Sequence, residues 1–246
     1  MKRILLALGL ALAIGACAAQ SGAPTFREQQ MQFPRVREAY AHKWSGVRLL
    51  LRSHHLDPNR LEVFVRVFKV GQRVEVWGRN QGDEVFQRLR TYPIAACSGA
   101  LGPKRREGDG QVPEGFYHIN RFNPSSLYHL SLGLDYPNAA DKLLGSAKPG
   151  GDIFIHGSNV TIGCVPITDP LIEELYVLLT EARSAGQQDI AVHIFPFEMR
   201  DELLARYQHH RHYAFWQTLQ PAYAYFEQHL TPAPVTVAAT GLYAMP

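Results

Sequence analysis

Apolar and polar positions divide the chain into regions of different period. From residue 35 to about 53, Val36, Tyr40, Val47, Leu50 and Leu51 recur at near-helical spacing among Arg and Glu. This predicts an amphipathic helix that starts at Pro34 and stops before Asp57-Pro58-Asn59. After Asn59 the period becomes two: Leu61, Val63, Val65 and Val67 alternate with Glu62, Phe64, Arg66 and Phe68. That alternation predicts a strand, and Val74, Val76 and Trp77 beyond the Val70-Gly71-Gln72 turn supply a hairpin partner. Further strand candidates are 84–94, 115–120, 127–132, 152–156 and 190–197. One helix interrupts them, opening at Asp169-Pro170, carrying Leu171, Leu175, Leu178 and Leu179 on one face and stopping near Gly186. From Met199 to about Leu230 the pattern is helical again, and Pro221 is expected to break or kink it, so two helices are predicted. Residues 231–246, with Pro232, Pro234 and Gly241, read as a loosely docked tail. Strands with one inserted helix argue for an α+β, mainly β domain and against an alternating parallel βαβ sheet.

Composition narrows this reading. The 246 residues are 46% hydrophobic and 19% charged, which supports a substantial core and excludes disorder throughout. There is no fixed-period repeat and no sustained heptad. A net charge of +3 requires no nucleic-acid partner. At the N-terminus, Lys2 and Arg3 precede the apolar or small residues Ile4 to Ala19, a charged region and then an apolar one, as in an export signal. Ile14-Gly15-Ala16-Cys17 resembles a bacterial lipobox, making Cys17 the expected lipidation site; the rival reading is cleavage after Ala16-Cys17-Ala18, which would discard the cysteine. On the first reading the membrane is reached by a lipid anchor only.

The other two of the three cysteines are Cys97 and Cys164, an odd total that fits neither a complete disulfide framework nor a paired metal site. The chemistry is concentrated in residues 152–167. There His156 ends a strand, Gly157 follows it, and Cys164 comes after Gly163. A free thiol is mostly protonated at neutral pH, and an adjacent imidazole can take its proton and make it nucleophilic. Backbone N–H groups around Gly163 and Cys164 are expected to face a developing oxyanion, in acyl transfer through a thioester. No cofactor and no metal is called for by this arrangement.

Ile155-His156-Gly157 followed by Thr161-Ile162-Gly163-Cys164 resembles the signature of YkuD-type L,D-transpeptidases, a strand-borne HG and then [S/T]-x-G-C. Upstream, Pro113-Glu114-Gly115-Phe116-Tyr117 resembles the P-x-G-x-[FY] segment of that family. Arg66-Val67-Phe68-Lys69, Tyr136-Pro137-Asn138 and His193-Ile194-Phe195-Pro196-Phe197 match its YafK-like subgroup more narrowly. The resemblance implies a β-rich catalytic domain with Cys164 as nucleophile, His156 as proton donor and acceptor, and a Gly157 backbone carbonyl orienting the imidazole. It also implies action on peptidoglycan stem peptides at the L-centre carbonyl of diaminopimelate, with an amine or water as acceptor. Release of a wall-linked lipoprotein is one version of that chemistry, and a short HG-to-GC spacer with Val165-Pro166 after the cysteine shifts the expectation from cross-linking toward hydrolysis or release. The expected organisation is a signal and lipobox at 1–17, a tether at 18–34, an N-terminal helix at 35–60, the catalytic domain at 61–197, C-terminal helices at 198–230 and a flexible tail at 231–246, in the periplasm or cell envelope.

Other residues carry weaker expectations. Tyr117, Tyr128, Lys104 and Thr161 are candidates for substrate binding, Lys104 as part of a Lys104-Arg105-Arg106 run able to attract stem carboxylates. Cys97 is expected to be a small buried residue, with a disulfide to Cys164 as the alternative. His193 reads as a satisfied core histidine, and His209, His210 and His212 as a solvated helix surface. The competing function is a non-catalytic peptidoglycan-binding lipoprotein, against which a paired base and thiol argue.

Overall fold

The computed structural model describes residues 23–246. The export segment, the lipobox and Cys17 lie outside the described residues. The helices are α1 (Phe26–Gln30), α2 (Pro34–Ser53), α3 (Ala139–Leu144), α4 (Asp169–Ser184), α5 (Asp201–Ala205) and α6 (Tyr213–His229). The strands are β1 (Leu61–Phe68), β2 (Arg73–Asn80), β3 (Gln87–Pro93), β4 (Gly115–Asn123), β5 (Ser131–Leu134), β6 (Phe154–His156), β7 (Val165–Pro166) and β8 (Ala191–Phe195), with a short pair β9 (Thr236–Val237) and β10 (Tyr243–Ala244).

The first eight strands form one mixed sheet in the order β3-β2-β1-β8-β4-β5-β6-β7. β1 runs parallel to β8 and β6 parallel to β7, while the remaining neighbours are antiparallel. The period-two pattern of β1 explains the layering. Leu61, Val63, Val65 and Val67 join one core with α2 and α4 residues such as Val36, Leu51, Ile172 and Leu179. On the opposite face Phe64 packs with Trp77 and Phe226, and Phe68 with Trp216 and Tyr223. Both faces of the strand are apolar because helices cover both, giving three layers in an α+β fold.

Four expectations need correction. Residues 18–34 are not simply a tether: α1 opens with a Thr25/Glu28 capping box and docks on α4, where Tyr176 donates to Gln30 Oε1 at 2.6 Å and Arg27 N–H to Ser184 Oγ at 2.6 Å. The two C-terminal helices separate between Ala205 and Tyr213 rather than at Pro221, which stays inside α6. Packing of Trp216, Leu219, Tyr223 and Phe226 on both sides of the proline holds that helix together despite its missing N–H. The tail is tied down, since Tyr243 is buried and accepts from Asn138 Nδ2 at 2.8 Å. The strand expected at 127–132 begins only at Ser131, so Leu127 and Tyr128 belong to a loop that reaches the site. The helix α3 lies outside the predicted elements, although its Asn138/Asp141 capping box is written in the sequence.

Candidate active site

The site forms where β6 ends and the chain returns as β7. His156 is the last residue of β6 and is buried, while Cys164 lies in the loop just before β7 and is half-buried. Both line one cavity of about 310 Å³, together with Tyr128, Asp152, Phe154 and Ile162. The His156 Nδ1 position lies 2.5 Å from the Gly157 carbonyl, so with Nδ1 protonated the imidazole presents Nε2 as its free lone pair. The Tyr128 ring lies against the imidazole with centroids 4.6 Å apart. Gly157 is demanded by crowding: a Cβ there would meet the Asp169 carboxylate and would lie 2.7 Å from the Tyr128 carbonyl oxygen. The same carboxylate accepts from Ser158 N–H at 2.6 Å, anchoring the start of α4 beside the histidine.

The Cys164 loop is organised by Thr161. Its Oγ1 accepts from Gly163 N–H at 3.1 Å and Cys164 N–H at 2.8 Å, and donates to the Cys164 carbonyl at 2.8 Å. The expectation that the Gly163 and Cys164 N–H groups face an oxyanion is therefore corrected: a side-chain oxygen already occupies both. Gly163 has φ +137, and a Cβ there would lie 3.0 Å from the Gln111 carbonyl, so glycine serves the turn and the close approach of the neighbouring loop. Thr161, expected at the substrate, holds the loop instead.

Burial sets the protonation states. It pushes the His156 pKa down, opposed by the Gly157 carbonyl and the Asp169 charge. It pushes the Cys164 thiol up, with Asp152 adding to the rise and Lys104 opposing it. The resting pair is thus a neutral thiol and a neutral imidazole, and the Cys164 sulfur lies 3.7 Å from the Asp152 carbonyl, as an S–H donor would. Such a pair can transfer its proton when a carbonyl carbon is presented to the sulfur.

The remaining candidates divide. Tyr128 lines the cavity. Tyr117 does not: it is fully buried and donates to Asp141 Oδ2 at 2.9 Å. Lys104 is also withdrawn from solvent, pairing with Asp109 at 2.8 Å. Cys97 is exposed rather than buried, and both it and Cys164 are free thiols. His193 is buried among Phe64, Phe116 and Phe195, but its Nδ1 has no hydrogen-bond partner, so it is a core histidine that is not satisfied. His210 stacks on Trp216 with centroids 4.4 Å apart. Asp152, Phe154 and Ile162 lie in the segment singled out from the sequence but carry no predicted role there, and Asp169 reads in the sequence as a helix opener.

The mixed sheet with helices on both faces brings a strand-borne His-Gly and a loop-borne Gly-Cys to one cavity. Residues 62–194 match the family model of the L,D-transpeptidase catalytic domain, YkuD, and the chain belongs to this family. It is 37% identical over 177 residues to "Putative L,D-transpeptidase YafK" of Escherichia coli K12, an alignment covering 71% of this chain and 70% of that protein. Among solved structures, the helical cell shape determining protein Pgp2 from Campylobacter jejuni is 24% identical with a TM-score of 0.45, covering 56% of this chain and 49% of that one. Bd1075 of Bdellovibrio bacteriovorus is 27% identical with a TM-score of 0.39, covering 55% of this chain and 48% of that one. The chain thus spans about half the length of these two solved proteins. Family membership supports a peptidoglycan-modifying activity in the bacterial cell envelope.

Proposed function

We propose that the protein is a cysteine-dependent acyl transferase or hydrolase acting on peptidoglycan stem peptides, with Cys164 as nucleophile and His156 as base and then acid. The observation that carries this reading is the shared cavity of His156 and Cys164, with the imidazole oriented by the Gly157 carbonyl. His156 Nε2 takes the thiol proton as sulfur adds to the L-centre carbonyl of diaminopimelate. The tetrahedral adduct collapses when the same proton passes to the leaving amine, giving a thioester. An amine acceptor then yields a transpeptide, and water yields hydrolysis. We place hydrolysis, including release of a wall-linked lipoprotein, slightly ahead of transfer. Two features support that order: the short segment between His156 and Cys164, and Val165-Pro166 immediately after the nucleophile. The apolar rim supplied by Leu127 and Ile162, 95% and 89% exposed, suits a substrate with hydrocarbon as well as charge. A lipid anchor at Cys17 would hold this activity at a membrane facing the wall.

The test is incubation with purified muropeptides and lipoprotein-linked muropeptides, read by mass spectrometry. Mass loss or exchange at diaminopimelate in the wild type, absent in Cys164→Ala, is the expected result; no change in any substrate overturns the enzyme reading. Palmitate labelling of the wild type, lost in Cys17→Ala, is expected from the anchor.

A further inference from the structure

Two basic stretches that are far apart in sequence meet in the fold. Arg105 and Arg106, from the loop before β4, and Arg211 and His212, from the connector between α5 and α6, line one half-enclosed groove of about 340 Å³. The contact is close, because His212 packs where a Cβ on Gly102 would stand, and Gly102 has φ +127. Arg105 is committed to Asp141 at 3.0 Å and lies over the Phe215 ring at 4.8 Å. Arg106 and Arg211 are exposed, and among the described residues neither has a carboxylate partner. The one acidic side chain in the groove, Asp109, is fully engaged by Lys104 Nζ and the N–H groups of Arg105, Arg106 and Gln111 at 2.8 to 3.1 Å. The groove therefore holds unneutralised positive charge.

Its position relates it to the thiol. Gln111 lines the groove, and its carbonyl lies 3.0 Å from where a Gly163 Cβ would be, so one loop separates the groove from the Gly163-Cys164 turn. Arg211 and His212 fall beyond the 62–194 span that matches the family model, so this wall is built by the chain's C-terminal extension.

We propose that this groove is a specificity subsite that binds a carboxylate of the peptide substrate through Arg106 and Arg211. Two guanidinium groups suit a planar carboxylate, which each can engage through paired N–H donors. The proposal rests on the stem-peptide reading above and adds the part of the substrate that the cavity at Cys164 leaves unaddressed. It also explains the basic run at 104–106: Lys104 and Arg105 are structural ties, and Arg106 is left for a ligand.

The experiment compares wild type, Arg106→Gln, Arg211→Gln and the double variant on a stem tetrapeptide, whose last residue is the amine released from the L-centre carbonyl of diaminopimelate, and on the same peptide with its free carboxylates amidated. The double variant should raise KM for the free peptide about tenfold, the scale of losing charge-assisted hydrogen bonds, with kcat within about twofold. The variants should equal wild type on the amidated peptide, and added salt should weaken binding of the free peptide in wild type only. Inorganic phosphate as a competitor should compete only weakly if a peptide carboxylate is the true occupant; stoichiometric phosphate binding tighter than peptide overturns the assignment. The same substitutions placed on Cys164→Ala, read by titration calorimetry with the free tetrapeptide, separate the two readings. Arginine-dependent binding without turnover in wild type removes the reaction and leaves the subsite. Turnover with KM unchanged by the substitutions removes the subsite and leaves the reaction.

Discussion

A thiol beside an imidazole can rest as a neutral pair or as thiolate and imidazolium, and burial decides between them here. Both groups are pushed toward their neutral forms, His156 down and Cys164 up. Protonated His156 cannot accept the thiol proton, so kcat/KM should fall as the pH drops through the lowered histidine pKa. The acid limb of the profile is expected below the ordinary imidazole value of about 6.5. An acid limb well above that value would contradict the neutral pair. Thr161 supplies a second prediction at this scale. Thr161→Val keeps the shape but leaves the Gly163 and Cys164 N–H groups without their acceptor, and the loop carrying sulfur should shift. Roughly tenfold to hundredfold loss of kcat is expected, from misplacement alone, while Thr161→Ser retains the hydroxyl and most of the rate. Equal activity of the valine and serine variants in single-turnover assays would show that the hydroxyl does not position the thiol.

At the level of elements, Glu114 ties the loop before β4 to the C-terminal helix. It is fully buried; its carboxylate accepts from Lys69 Nζ at 2.9 Å, Gly102 N–H at 2.8 Å and Trp216 Nε1 at 2.7 Å. The end of β1, the loop before β4 and α6 thus converge on one group. Glu114→Ala strands the buried Lys69 charge and should cost about 3 to 5 kcal/mol in urea unfolding. Glu114→Gln preserves an acceptor for Gly102 and Trp216 and should cost less; equal losses would mean that the charge of Glu114 is immaterial. This junction also shows where sequence patterns stop being informative. The alternation in β1, the leucine face of α4 and the His-Gly and Gly-Cys segments are local, so a reader of the sequence finds them. Long-range partners have no such period: Trp216 meeting Glu114, or Gln111 filling the space beside Gly163, becomes visible only once the chain has closed. Tyr117 and Lys104 depart from the sequence expectation for that reason, because their partners Asp141 and Asp109 are set by loop geometry and not by spacing. Pro221 misleads in the opposite direction, since a local break signal is overridden by apolar packing on both sides of it.

The whole molecule closes over a histidine whose Nδ1 meets no hydrogen-bond partner. His193 lies on central strand β8 between the two layers that cover the sheet, with Phe64 and Phe116 rings at 4.7 and 4.6 Å and its Nδ1 unpaired. Burial, reinforced by Arg66 and His118, pushes its pKa down to about 3. The unfolded chain exposes this imidazole near its ordinary value of about 6.5, so between those limits the unfolded state binds the extra proton. Folding stability from this group is therefore intact above pH 6.5 and declines as pH falls, at about 1.4 kcal/mol per pH unit, until the folded pKa is reached. Other side chains titrate in the same range, so the comparison needs a variant that removes only this one. His193→Leu keeps an apolar filling between the aromatic rings and has no proton to take up. Urea midpoints measured from pH 7 to 4.5 should fall more steeply for the wild type than for His193→Leu, with the two curves diverging as pH decreases. Parallel curves would mean that His193 finds a proton-stabilising partner in the folded state, and that the closed core tolerates its charge.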